Sequence, residues 1–359
     1  MNRIDKLVFK AVILSVAVVV ALTATVDLVF TLAEELAESD ENYSAAQAIL
    51  FSIQTLPTAV YELLPFSALG GALIGLGILA SHNELLVIQT AGVPNWRIIW
   101  SVLQPTLLVM ITSLVLGEYI APPLEHFAQS QKSILLAEDN DEGSLQDGTW
   151  QRIGNEFVHI GAILPGGRDL VAITRFRLDD QRQLVSSSIA DSARYIGSDG
   201  EGFWELRNIK ETFFGPASVA TSFAESLNWE VDLSPELLSV LLVEPQRQSI
   251  SGLYRFAQYF QNEGLDADNY YLAFWKKILQ PLSTLALVLL AVSFVFGPLR
   301  QATMGYRVFI AISIGLIFTI LQRLLEPASL LYGISPVIAV LLPVLLAMVL
   351  GSVLLSRVR

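Results

Sequence analysis

Apolar residues gather along this chain into six long runs, at Leu7–Leu32, Leu56–Ala80, Ile98–Ala121, Phe274–Phe296, Val308–Leu325 and Val337–Leu355. Each approaches or exceeds the roughly 20 residues that cross a bilayer core, so each predicts a membrane-spanning helix. Arg3, Lys6 and Lys10 precede or open the first run, a placement shared with signal peptides. That run is too long for a signal h-region, and no small-residue cleavage site closes it, so it reads as a retained first helix.

Between the third and fourth runs the period changes from helical to two. Alternation is visible around Phe157 and His159, then at Leu170–Leu178, Ala193–Ile196, Phe203–Lys210 and Ser226–Val231. Pro165-Gly166-Gly167, Asp179-Asp180 and Ser198-Asp199-Gly200-Glu201-Gly202 supply turns between them. Short strands at this spacing predict a sandwich or jelly roll. From Ser249 to Glu263 the pattern is helical again, with Leu253, Phe256, Ala257 and Phe260 on one face and Gly264 as a stop, which predicts a connector helix. The expected layout is therefore a membrane α-helical bundle of six helices with one inserted β domain. Its parts are helices one to three in 1–121, the β domain in 122–248, the connector in 249–270 and helices four to six in 271–359. No short-period repeat or low-complexity tract interrupts it.

Composition agrees with lipid as the solvent for much of the chain. Only 16% of the 359 residues are charged, against about 25% in soluble domains, and 53% are hydrophobic. A net charge of −12 argues against nucleic-acid binding. The lack of cysteine excludes disulfides, thiolate chemistry and sulfur-ligated metals. Basic residues give the orientation. With the N-terminus inside, cytoplasmic segments carry Arg3, Lys6, Lys10, Arg97, Arg300, Arg307, Arg357 and Arg359, whereas the short loops 33–55 and 326–336 carry no Lys or Arg. Both termini are expected in the cytoplasm, and the β domain outside. Lys276 and Lys277 run against this bias, but long basic side chains snorkel.

Candidate chemistry is sparse. No G-x-x-x-x-G-K-[ST] phosphate loop is present, so ATP is not bound in that way. His82, His126 and His159 lack ligand spacing, and the serines of the spans (Ser113, Ser283, Ser293, Ser313) fit helix packing better than nucleophilic catalysis. The loop Ser81–Pro94 is more informative. Asn83 or Ser81 can N-cap a short helix, Glu84 sits at its positive end, and Gly92 and Pro94 stop it. Barely two turns long and apolar in its body, this helix needs a surface to bury against. Lipid headgroups or a groove on a cytosolic partner would both serve. Asp27, Glu62, Glu118, Arg323 and Glu326 lie near the outer ends of spans, where the cost of about 2.5–3.5 kcal/mol for a charge at a helix centre is reduced and an interfacial role suffices. Gly70, Gly71, Gly75 and Gly77 clear one face of the second helix for close approach, as simple packing or as a moving seam. Pro57, Pro65, Pro105, Pro281 and Pro343 favour kinked walls.

These residues resemble the LptF/LptG lipopolysaccharide export permeases, the LptG branch most closely, through essentially the whole chain. The resemblance rests on an ordered set of blocks. They are Leu64-Pro65-Phe66 leading into Leu69 to Gly77, Glu84-Leu85 with Ala91-Gly92, Gly117 to Pro122, Ser249 to Leu253, Gln280 to Ser283, Phe296 to Arg300, Met304-Gly305-x-Arg307 and Leu331 to Ile334. It implies a non-catalytic permease in a bacterial inner membrane, paired with an LptF-like permease around a lipid cavity. A cytosolic LptB-like ATPase dimer would bind the ATP and Mg, so no cofactor is expected in this chain. An LptC-like bitopic protein and a periplasmic LptA-like bridge complete the partners, and the β domain would be a periplasmic jelly roll.

At residue level the resemblance assigns Glu84, Leu85, Leu86, Ile88 and Gly92 to contact with the ATPase, and Leu63, Phe66 and Leu69 to the lipid cavity. Relatives often place basic residues at the outer ends of helices one and three. Here helix one ends Thr31-Leu32-Ala33-Glu34-Glu35-Leu36-Ala37-Glu38, and Gln129 takes the matching site after helix three, leaving Lys132 as the expected ligand for a lipid phosphate. The acidic belt Glu34–Glu41 would either turn away from an anionic lipid or reach it through divalent cations. Two rivals remain on the residues alone: a proton-coupled secondary transporter, which usually needs a midplane carboxylate or broken helices, and a membrane-anchored assembly scaffold.

Overall fold

The computed structural model describes residues 3–39, 43–138, 149–164, 167–179, 181–198, 201–215, 218–231, 233–235, 238, 244–262, 266–297 and 302–357. Of the residues singled out above, Asp40, Glu41, Pro165, Gly166, Asp180, Asp199, Gly200, Glu263, Gly264, Pro298, Leu299, Arg300 and Arg359 lie outside them. Helices are α1 (Arg3–Ala37), α2 (Ala45–Ser81), α3 (Glu84–Thr90), α4 (Asn95–Val115), which continues through a π-turn at Leu116–Ile120 into α5 (Ala121–Glu138), and, after the strands, α6 (Ile250–Asn262), α7 (Asp268–Phe296), α8 (Met304–Tyr332) and α9 (Pro336–Ser356). Six of these stretches are long and apolar enough to cross a membrane, and all six predicted spans fall inside them. The chain packs as two compact units, one of residues 1–30, 56–122 and 245–359 and the other of 31–55 and 123–244.

The helical unit is held by an apolar core drawn from all six spans and α3, including Val12, Val16, Leu69, Leu73, Leu76, Ile98, Val102, Leu287, Val292, Phe318 and Val344. The glycines of α2 resolve into separate tasks. A Cβ on Gly71 would lie 2.5 Å from the Val16 Cα, and one on Gly75 would lie 2.8 Å from the Ala11 carbonyl oxygen, so both are needed where α1 crosses α2. At Gly77 the absent side chain leaves room for Arg307, which is buried and donates from Nη1 to the Gly77 carbonyl at 2.6 Å. Arg307, counted above among the basic residues of the cytoplasmic segments, is thus buried and ties α8 to α2.

Helix breaking is compensated locally. Pro65 has no N–H for the Tyr61 carbonyl one turn earlier. Gln280 of α7 supplies the missing donor, with Nε2 2.8 Å from that oxygen. The connector α6 is capped by two residues far apart in sequence. Ser249 Oγ accepts from the Gly252 N–H at 3.1 Å, and Glu118, in the π-turn, accepts from Ile250 at 2.7 Å and Ser251 at 3.4 Å. A carboxylate there meets the positive end of the helix as well as its orphan donors. Glu118 thus has the satisfied role expected of it.

The second unit is built on one six-stranded antiparallel sheet: β1 (Thr149–Ile153), β2 (Glu156–Ile163), β3 (Asp169–Leu178), β4 (Leu184–Ser198), β5 (Glu201–Phe214) and β6 (Val219–Trp229), paired in sequence order. The inserted β domain is therefore present, assembled hairpin by hairpin. A crease crosses it at the level of Gly161, Ala172, Asp191 and Asn208, where Ala172 and Asn208 hold φ of 54° and 53°. On one side β4 buries Ser186, Ser188 and Ala190; on the other it buries Ala193 and Tyr195. The same one-residue slip separates Leu170 from Ile173 and Leu206 from Ile209. It keeps the same face of β3, β4 and β5 turned inward on both sides of the crease, over a core of Val158, Ile160, Leu170, Ile173, Trp204, Leu206 and Trp229. Trp204 donates to the Leu233 carbonyl at 2.9 Å.

Candidate functional site

The helical unit holds a cleft of about 570 Å³ between the Tyr61–Phe66 turn of α2, residues 273–283 of α7 and residues 318–326 of α8. Leu63, Pro65, Phe66, Ala273 and Phe318 form its apolar wall, with the Phe66 and Phe318 rings edge to face at 6.3 Å. Polar groups line it too: Glu62, Lys276, Lys277, Gln280, Gln322, Arg323 and Glu326. Lys276 pairs with Glu326 at 2.7 Å, and buried Lys277 lies 4.9 Å over the Tyr61 ring. Of the three expected cavity residues, Leu63 and Phe66 line this cleft. Leu69 does not: it lies one turn deeper, is 1% exposed and packs into the bundle core.

The short helix α3 forms as expected over Glu84–Thr90, but its start differs. Asn83 sits at φ 59°, in the left-handed region, and its side chain makes no capping bond; Ser81 Oγ instead donates back to the Ile78 carbonyl at 2.8 Å. Gly92, at φ 81°, ends the segment, and Pro94 precedes α4. The helix buries Leu85 and Ile88 in the bundle core, so its own protein supplies the surface it needs. Its other side stays open, with Leu86 44% and Val87 63% exposed. The Glu84 side chain has no hydrogen-bond or ion-pair partner among the described residues.

Lys132 is placed otherwise than a free phosphate ligand requires. Its Nζ lies 2.8 Å from Glu35 and 2.6 Å from Glu38, and 5.1 Å over the Phe51 ring. Glu35 also accepts from the Tyr43 hydroxyl at 2.7 Å. Glu35, in the last turn of α1, and Glu38, just past its end, lie at the negative end of the helix, so a cation there offsets an unfavourable placement. Glu35 and Glu38 are thus committed to Lys132, and the triad carries a net negative charge that disfavours an anion.

In the β domain a separate polar hollow of about 780 Å³ includes Glu156, Arg175, Arg177, Glu211 and Trp229. Buried Arg175 meets Glu156 with Nη2 at 3.0 and 3.1 Å and lies 4.8 Å over the Trp229 ring, while Arg177 Nε reaches Glu156 at 2.8 Å. Burial would raise the Glu156 carboxyl; the Arg177 hydrogen bond and the Arg175 charge outweigh it and hold the group below its usual value. No group of three or more metal-ligating side chains occurs among the described residues. Arg323, Gln280 and the Lys276–Glu326 pair drew little notice in sequence because each is an isolated polar residue in an apolar run. Only their shared cleft makes them a set.

Comparison with known proteins covers nearly the full length. The family described as lipopolysaccharide export system permease LptF/LptG matches residues 6–357. The lipopolysaccharide export system permease protein LptG of Escherichia coli K12 is 33% identical over 345 residues, 95% of this chain and 93% of the relative. LptG of Haemophilus influenzae Rd is 33% identical over 317 residues, 88% of this chain and 87% of its own.

Proposed function

Because the chain belongs to the LptF/LptG family of lipopolysaccharide export permeases, we propose that it is the LptG-type subunit of an ATP-driven exporter. It draws lipopolysaccharide laterally out of the inner membrane into the α2–α7–α8 cleft and passes it to a periplasmic bridge toward the outer membrane. The observation that carries this reading is the cleft: an apolar wall of Leu63, Phe66 and Phe318 beside charged groups near the expected outer ends of the spans suits an amphiphile with an anionic head. A proton-coupled carrier has less support, since the carboxylates Glu118 and Glu326 are engaged in a helix cap and an ion pair.

The chain itself is non-catalytic in this proposal. An LptB-like ATPase dimer hydrolyses ATP, an LptF-like permease completes the cavity, and LptC-like and LptA-like proteins carry the lipid onward. Both termini and α3 face the cytoplasm, and the β domain faces the periplasm. α3 couples hydrolysis to lipid movement: Leu85 and Ile88 anchor it to the bundle, so Glu84, Leu86 and the turn at Gly92 are free to meet the ATPase. A rigid anchor transmits a push, which a loop lying loosely on headgroups would not.

Reconstitution with the partner subunits tests this. Glu84→Lys should lose most lipid release, with ATPase retention or hydrolysis also impaired, and Glu84→Ala should be milder because it adds no repulsion. Wild-type values in Glu84→Lys for ATPase co-purification, hydrolysis and release would remove α3 from the mechanism. Absence of any ATPase or lipopolysaccharide from the purified native complex would remove the exporter reading itself.

A further inference from the structure

From the charges of the α2–α7–α8 cleft we infer that Arg323 and Lys276 form the subsite that recognises a phosphate on the lipid's head, with Glu326 as the resident competitor that the phosphate displaces. The inference rests on the lipopolysaccharide reading of the cleft and goes beyond it in assigning the residues. Three cations, Lys276, Lys277 and Arg323, face the cleft against two carboxylates, Glu62 and Glu326. Their states differ. Lys277 is buried beneath the Tyr61 ring and reaches toward the Gly117 carbonyl at 3.5 Å, so it is held within the wall. Lys276 is partly exposed and holds Glu326 at 2.7 Å. Arg323 is exposed, and its side chain has no hydrogen-bond or ion-pair partner among the described residues.

An unpaired guanidinium in a membrane segment is costly and is retained where something charged pairs with it. Arg323 and Glu326 lie three residues apart on α8, hence on one face, and Lys276 approaches that face from α7. A phosphate entering here finds the planar donor fork of Arg323 open, and can take the Lys276 ammonium from Glu326 without leaving it unpaired at any stage. The apolar wall beside them accepts the acyl part of the same molecule. Lys132 offers nothing comparable, because two carboxylates already neutralise it.

The test is equilibrium binding of bisphosphorylated lipid A and of its monophosphoryl form to the purified permease–ATPase complex in nanodiscs. Wild type should prefer the bisphosphorylated lipid. Arg323→Gln should weaken that lipid about tenfold while changing the monophosphoryl form little, so that the preference vanishes, and Arg323→Lys should recover part of it. Glu326→Gln should bind the bisphosphorylated lipid more tightly than wild type, a gain that misfolding cannot produce. Equal loss of both lipids in Arg323→Gln, or no gain in Glu326→Gln, overturns the subsite while leaving the permease reading in place. Failure of the wild-type complex to bind either lipid overturns both. Displacement of the lipid by inorganic phosphate alone would make this a free-phosphate site and overturn the lipid assignment.

Discussion

Gly70 and Gly71 stand side by side in α2, and alanine should have unequal effects at the two. At Gly71 the new methyl would meet Val16 at its Cα, 2.5 Å away, and its amide nitrogen, 2.6 Å away. These are backbone atoms of a packed helix, so relief requires α1 and α2 to part by about 1 Å to regain ordinary contact, which loosens the dispersion contacts of Val12 and Val16 as well. At Gly70 the nearest atom is a Val19 methyl at 3.5 Å, already ordinary contact. Both substitutions gain the same helix propensity, about 0.8–1.0 kcal/mol. The difference between them isolates the clash, and overpacking of this kind costs about 1–3 kcal/mol. Gly70→Ala should therefore outlast wild type, and Gly71→Ala should fall short of Gly70→Ala by that margin. Thermal-inactivation half-lives in one detergent give the comparison, with about tenfold in rate for each 1.4 kcal/mol that falls on the unfolding step. Half-lives for the two variants within about twofold of one another, or in the reverse order, would refute the close crossing of α1 and α2 at Gly71.

Gln280→Leu should destabilise by about 1 kcal/mol, because it orphans the Tyr61 carbonyl that Pro65 leaves open; adding Pro65→Ala restores an N–H, and a double-mutant cycle without coupling would disprove the compensation. Lys132→Ala should cost about 1–2 kcal/mol by stranding buried Glu35, whereas Glu38→Ala, at an exposed carboxylate, should stay within about 1 kcal/mol, and equal effects would contradict the triad. Glu156 has a depressed folded value, so its stabilisation is complete above its usual value of about 4.5 and is lost as the pH falls through the lower folded one. Acid inactivation of the whole protein should accordingly flatten in Glu156→Gln relative to wild type; identical profiles would count against that pair.

The membrane helices were legible because twenty apolar residues have few alternatives, and all six spans were bounded to within several residues or extended at their ends. The extensions have a cause. Loop 33–55 reads as polar, yet Thr31 to Ala37 continues α1 because Lys132, about a hundred residues away, offsets Glu35 and Glu38 at a helix end that repels them. The β domain was legible only where period two holds its phase. β4 reads as a strand from Ala193, but it begins at Leu184, and the slip at Asp191 hides the first half. A left-handed residue such as Ala172 or Asn208 leaves no trace in a hydrophobic pattern, since neither type is reserved for that conformation.

The site was harder, for a reason that the blocks themselves illustrate. Leu64-Pro65-Phe66 and Gln280-Pro281-Leu282-Ser283 look like separate curiosities until Gln280 is seen to donate to the carbonyl that Pro65 vacates. Gly117-Glu118 and Ser249-Ile250-Ser251-Gly252 are likewise two halves of one helix cap. A pattern read along the chain registers each half as a peculiarity but cannot pair them, because a hydrogen bond between positions more than a hundred residues apart has no period. Charge has the same property. Lys132 looked available in sequence and is engaged, whereas Arg323 looked like one more interfacial end group and is the unpaired cation of the cleft. What distinguishes them is only which carboxylates fold back to meet each one. Under the proposed export of an anionic lipid, that difference is what favours Arg323 over Lys132 as the seat of its phosphate.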